Sequence, residues 1–286
     1  MVTTPLLQLK NISFACYKKT IINNASLSLH QGEIIALIGD NGAGKTSLLS
    51  IAAGLIPPHA GEVIYYCVSP KIAWMTDQAT FFPNWTVAML LNWYTELTHP
   101  TIKEEEKNAI IQQCHLESVL HQSCKTLSHG YRQRLSLAKA LLQQPDILLL
   151  DEPSNGLDTK HRSILYHILK RCAKQGMGII VIEHQWQRAL QISNKIYDIY
   201  QGQVYKLPLP SKKEYWLWAE WQTQSDFPKT IPANKVLDYH TGYCCYTEKE
   251  RTEKMMQLSI QPGVIALTTT PPSALLQNIR NKHHDA

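Results

Sequence analysis

The chain has 286 residues, with 28 Lys and Arg against 23 Asp and Glu and a formal net charge of +5. That length holds one large domain, or one domain with an appendage, and 44% hydrophobic with 18% charged residues excludes a disordered chain. The longest apolar runs, such as Ile147–Leu150 and Ile179–Ile182, are strand-sized, so neither a membrane span nor, from Met1–Ala15, a signal peptide is expected.

Residues 6–13 and 25–29 alternate as strands do, and Glu33–Ile38 reads as a buried strand. It runs into Gly39-Asp40-Asn41-Gly42-Ala43-Gly44-Lys45-Thr46 and then into a helix, Ser47–Ala53, closed by Gly54. This is G-x-x-x-x-G-K-[ST] between a strand and a helix. Glycines let backbone N–H groups wrap phosphate oxygens, and the helix N-terminus adds a favourable dipole. The predicted phosphate contacts are Gly39, Asn41, Gly42, Ala43, Gly44, Lys45, Thr46 and Ser47, with Lys45 on the outer phosphates and the Thr46 hydroxyl on Mg²⁺.

Short strands follow at Glu62–Tyr66 and Lys71–Met75. From about 86 to 120 the period turns helical, with Val87, Leu90, Leu91, Tyr94 and Leu97 on one face. Next come helix Tyr131–Gln143, strand Asp146–Leu150, helix Thr159–Gln175, strand Gly178–Ile182, helix Trp186–Ile192, and strands Lys195–Tyr200 and Gln203–Lys206. Strands alternating with helices predict a mostly parallel sheet covered on both faces. Strand Asp146–Leu150 delivers Asp151 and Glu152 at its C-terminal edge, where open α/β sheets bind ligands. Asp151 suits Mg²⁺, and Glu152 suits polarising an attacking water.

Between these motifs stands Leu127-Ser128-His129-Gly130-Tyr131-Arg132-Gln133-Arg134. With it, residues 6–204 resemble the nucleotide-binding subunit of an ATP-binding-cassette (ABC) transporter of the bacterial exporter type, whose signature is Leu-Ser-Gly-Gly-Gln. The resemblance implies a P-loop NTPase fold of class α/β: a mostly parallel core sheet, a small antiparallel β-subdomain and a helical subdomain at about 84–135. It implies that Tyr17 stacks on adenine, that Gln78 senses Mg²⁺ and the attacking water, and that His184 contacts the γ-phosphate. Ser128 and Gly130 become contacts to the ATP of a second subunit, and Asp158 belongs to a dimer-contacting loop. Asp158 is equally suited to cap the helix at Thr159. The catalytic set is then Glu152, His184, Gln78 and Lys45, with Thr46, Gln78 and Asp151 around the metal.

Two departures stand out. The signature's first glycine is His129 and its glutamine is Tyr131, and a Cβ at 129 hinders close backbone approach; a pH-sensing role for His129 is open. The stretch from Lys45 to Gln78 is shorter than the family's usual one, which implies a trimmed hairpin.

The resemblance implies an Mg²⁺-dependent ATPase forming a homodimer over two ATP molecules. It would power transport, in the export direction, through transmembrane permease subunits supplied in trans, on the inner face of the cell membrane. A non-transport or binding-only regulatory ABC protein is the alternative. No basic block is dense enough to predict nucleic-acid binding. Seven scattered cysteines without a C-x-x-C pair predict a reducing, cytoplasmic location, with the adjacent Cys244 and Cys245 open to packing or to a soft metal.

The domains expected are 1–206, the cassette, and 207–286, an α+β extension. The extension opens on a linker, Leu207–Pro210. Tyr215, Trp218 and Trp221, at i, i+3 and i+6, suggest an aromatic helix face. Strands at Lys235–Thr247 and Val264–Thr268 and a short helix to Arg280 complete the reading.

Overall fold

The computed structural model describes residues 5–17, 19–76, 82–207, 215–222, 235–237, 240–245, 248–259, 261 and 264–268. It divides into two compact units, Met1–Lys206 and Leu207–Ala286.

In the first unit a six-stranded sheet has the order β5-β6-β7-β3-β8-β9. In chain order these are β3 (Ile34–Gly39), β5 (Ile72–Met75), β6 (Ile147–Leu150), β7 (Gly178–Ile182), β8 (Lys195–Tyr200) and β9 (Gln203–Leu207). Pairing is parallel from β5 through β8. β6 and β7 are buried at every position, which is why they read as unbroken apolar runs and not as alternations.

A second, antiparallel sheet pairs β1 (Pro5–Cys16) with both β2 (Lys19–His30) and β4 (Ala60–Tyr65). Between the sheets lies α1 (Lys45–Ala52), buried at Leu48, Leu49, Ile51 and Ala52. These side chains join Leu7, Leu9, Ile22 and Leu29 of the antiparallel sheet and Ile35, Leu37, Leu149 and Ile180 of the parallel sheet in one core. α1 thus packs with residues of both sheets.

The helical insert comprises α2 (Val87–Thr98), α3 (Glu104–Gln113) and α4 (His129–Leu141). Thr86 caps α2 and Ser128 caps α4, each side chain accepting the backbone N–H of the third helical residue, Met89 and Tyr131. α4 thus opens at His129, two residues ahead of the predicted Tyr131, because the serine supplies the cap. α5 (Thr159–Lys174) and α6 (Trp186–Ile192) complete the unit. No helix among the described residues is long and apolar enough to cross a membrane.

The second unit holds β10 (Tyr215–Trp221), β11 (Lys235–Leu237), β12 (His240–Cys245), α7 (Glu248–Ser259) and β13 (Val264–Thr268). Its sheet order is β11-β12-β10-β13, antiparallel throughout. That is the strand order and pairing of a split β-α-β arrangement. The aromatic segment 215–221 is thus a strand and not a helix. Seven residues are too few for period to decide between the two, and aromatic side chains favour strands. The predicted strand 235–247 is broken into two, and α7 was not anticipated. The expected helix to Arg280 lies outside the described residues, as do residues 208–210 of the expected linker and the side chains of Cys244 and Cys245.

Candidate functional site

β3 ends on Gly39, whose φ is +141°; a Cβ there would lie 2.3 Å from the carbonyl oxygen of Ile199 on β8. Only glycine lets these strands stay paired while the chain turns. Gly44, at φ +104°, caps α1 and is closely hemmed in, since a Cβ would lie 3.0 Å from the Ile21 side chain. Between them Asp40, Asn41 and Gly42 are exposed and Ala43 half-buried, so the loop presents backbone to solvent at a helix N-terminus, the arrangement that binds anions.

Lys45 is only 6% exposed, yet its ammonium donates to the carbonyls of Gly39 and Asp40, both at 2.9 Å. Burial pulls its pKa below the ordinary value, while the charges of Glu152, Asp151, Asp40 and Asp198 pull the other way. Thr46 Oγ1 donates to Asp151 Oδ2 at 2.9 Å, joining the helix after β3 to the end of β6. The half-buried Ser47 follows on α1.

Glu152 directly follows Asp151 with φ +50°, a left-handed conformation that a residue with a Cβ adopts at a cost. That turn brings Glu152 Oε2 to 2.6 Å from His184 Nε2, at the end of β7. The C-terminal ends of β3, β6 and β7 therefore converge on one site, with Lys45, Thr46, Asp151, Glu152 and His184 linked by contact or by charge. Thr46 and Asp151 supply two hard oxygen donors side by side, a set that fits Mg²⁺ with its remaining positions filled by phosphate and water. Among the described residues no group of three or more His, Cys, Asp or Glu could hold a metal ion; the side chains of Cys244 and Cys245 are not among them.

Other predicted residues fall elsewhere. Ser128 and Gly130 begin α4, and Asp158 caps α5, accepting the His161 backbone N–H at 2.8 Å. These form a second group around the loop that follows Glu152. Tyr17 is at the β1–β2 turn and 99% exposed, so its ring packs on nothing among the described residues. Gln78 lies outside the described residues.

A buried cluster under the site escaped the sequence reading. Glu183, which precedes His184, is 2% exposed, and Ser154, two residues after Glu152, is fully buried. Ser154 Oγ donates to Glu183 Oε2 at 2.8 Å, Tyr166 OH donates to Oε1 at 2.9 Å, and Arg188 Nη1 reaches Ser154 Oγ at 3.5 Å. Burial pushes the Glu183 carboxyl up, opposed by both hydroxyls and by Arg188; burial and the Glu183 charge push the Tyr166 phenol up, so it stays a donor. The available signal was a carboxylate prolonging the apolar run Gly178–Ile182. Tyr166→Phe leaves Glu183 Oε1 without this donor, and a loss of about 1–3 kcal/mol in stability is expected, read from the denaturant midpoint.

A phosphate-cradling loop between a buried parallel strand and a helix, facing two carboxylates from the next strand but one, defines a P-loop nucleotide-binding protein. Residues 22–155 match the ABC transporter family. The zinc import ATP-binding protein ZnuC of Hydrogenovibrio crunogenus is 33% identical over 210 residues, covering 70% of this chain and 81% of the relative. The SkfA peptide export ATP-binding protein SkfE of Bacillus subtilis is 31% identical over 230 residues, covering 77% and 95%. The fold is shared with the ATP-binding cassette MJ0796, in a dimeric post-hydrolysis state with ADP and phosphate (TM-score 0.62, 23% identity, 72% of this chain and 99% of that one). The chain belongs to the ABC transporter family, as an ATP-binding subunit.

Proposed function

We propose that the chain is an Mg²⁺-dependent ATPase that works as a homodimer on the inner face of a membrane and powers export through separate membrane-spanning permease subunits. The observation that carries this is the convergence of Lys45, Thr46, Asp151, Glu152 and His184 at the ends of β3, β6 and β7. Lys45 and the loop amides would hold the outer phosphates, and Glu152 would accept the proton of the attacking water. His184, already in contact with Glu152, would orient that carboxylate and neutralise charge developing on the γ-phosphate. Mg²⁺ held by Thr46 and Asp151 would screen the phosphate charge. Gln78 and Tyr17 are proposed for the attacking water and the adenine, and Ser128, Gly130 and Asp158 for the nucleotide held by the second copy.

Relatives of both directions exist: one is named for zinc import, the other for peptide export and aligned over 95% of its length. Export is favoured here by the compact antiparallel sheet, in which, among the described residues, β4 alone is added to the β1–β2 hairpin. The test is hydrolysis by the purified chain with and without a chelator, followed by ATP-driven transport in vesicles holding the co-purifying membrane subunit. Hydrolysis that stops on chelation and returns with Mg²⁺ is expected. Hydrolysis indifferent to chelation overturns the metal assignment, and uptake coupled to ATP in the import direction overturns export.

A further inference from the structure

We propose that His129 and His161 form a reciprocal latch, tying the segment Ser128–Gly130 to the loop Asn155–Asp158, and that this latch positions both for the nucleotide of the second copy. The inference deepens the dimeric ATPase reading above and rests on it.

His129 Nε2 lies 2.8 Å from the carbonyl oxygen of Asn155. A carbonyl only accepts, so Nε2 carries the proton, and it does so in the neutral and the charged ring alike. The bond is available in either ring state, so His129 acts as a tether. The ring also lies on Gly156, where φ is +68° and a Cβ would come within 3.2 Å of Nε2. The second half runs the opposite way. His161 Nδ1 donates to the Asp158 carboxylate at 2.9 Å, and its ring lies on Gly130 so closely that a Cβ there would be 2.3 Å from Cδ2. His129 rests on Gly156 of the loop, and His161, from the first turn of α5, rests on Gly130.

The bulk at position 129 is therefore absorbed inside the chain. The loop is pinned at its flanks by the buried Ser154 and Leu157 and by Arg162 Nη1 donating to Leu157 O at 3.3 Å. Between those pins the exposed Asn155 and Gly156 rest on the Asn155 N–H bond to Glu152 O at 3.1 Å and on the latch, so without the latch this short stretch opens locally at low cost. Because the loop begins at Glu152, holding Asn155 also limits the excursions of the proposed base. His129 and His161 act through other residues and are positioning residues.

The experiment uses the full chain and two readouts: hydrogen exchange of the 155–158 amides without nucleotide, and steady-state ATP hydrolysis. His129→Ala should speed exchange and lower kcat, each by about fivefold, the scale of one net hydrogen bond, with KM for ATP changed by less than about twofold. His129→Gln, whose amide N–H replaces Nε2–H, should restore both, and His161→Ala should repeat the loss. Unchanged exchange in both alanine variants overturns the latch. Faster exchange with unchanged kcat overturns its positioning role. A wild-type chain that hydrolyses no ATP refutes the ATPase reading and the positioning role with it, while exchange still decides whether the latch exists.

Discussion

Glu152→Gln is expected to keep ATP binding, with affinity within about twofold, and to lower hydrolysis by on the order of 10²–10⁴. The substitution changes one atom on a side chain whose backbone, at φ +50°, is already committed to the turn. Shape and the approach to His184 are kept, while the group able to accept a proton from water is removed. ATP-dependent dimers should accumulate, because closure is retained and its release is slowed. Turnover measured at saturating ATP decides the matter, and wild-type turnover would remove Glu152 from the role of base.

Lys45→Ala should act one step earlier, on binding. The ammonium is buried, donates to two carbonyls of its own loop, and opposes the charges of Glu152, Asp151 and Asp40. Its removal leaves a carboxylate-rich pocket for a polyanion. A charge-assisted hydrogen bond contributes about 1.5–3 kcal/mol, so ATP affinity should fall at least about tenfold, read by fluorescence or calorimetric titration. Lys45→Arg should not rescue it, since a planar guanidinium cannot enter the space of a compact ammonium held between two carbonyls. Unaltered affinity in the alanine variant would mean that phosphates bind elsewhere.

The cassette fold was legible because its signals are local. An apolar run ending in Asp151-Glu152 and a glycine loop ending in Lys45-Thr46 are each written within ten residues. Period and composition place them on strand and helix. The latch and the buried cluster were not legible, because their partners are distant in the chain: His129 with Asn155, Glu183 with Ser154 and Tyr166. Nothing at position 129 announces a carbonyl waiting 26 residues on. The C-terminal unit failed for another reason. Its strands are short and its aromatic spacing suits a helix, so only the pairing of β10 with β12 and β13 settles the strand.

The strand order also dictates when the nucleotide loop can exist during synthesis. β3 carries that loop, but its two neighbours are β7 and β8, with Ile34 against Ile179 and Ile35 against Lys195. Until those later strands leave the ribosome, β3 has no edge to join, an interval on the order of ten seconds at about 5–20 residues per second. For that time the apolar run Ile34–Ile38 is an unpaired strand facing the crowded cell, a hazard inherent in non-local parallel sheets. The antiparallel hairpin of β1 and β2, complete by His30, is the first local structure available, and it can fold ahead of everything that gives the protein its chemistry.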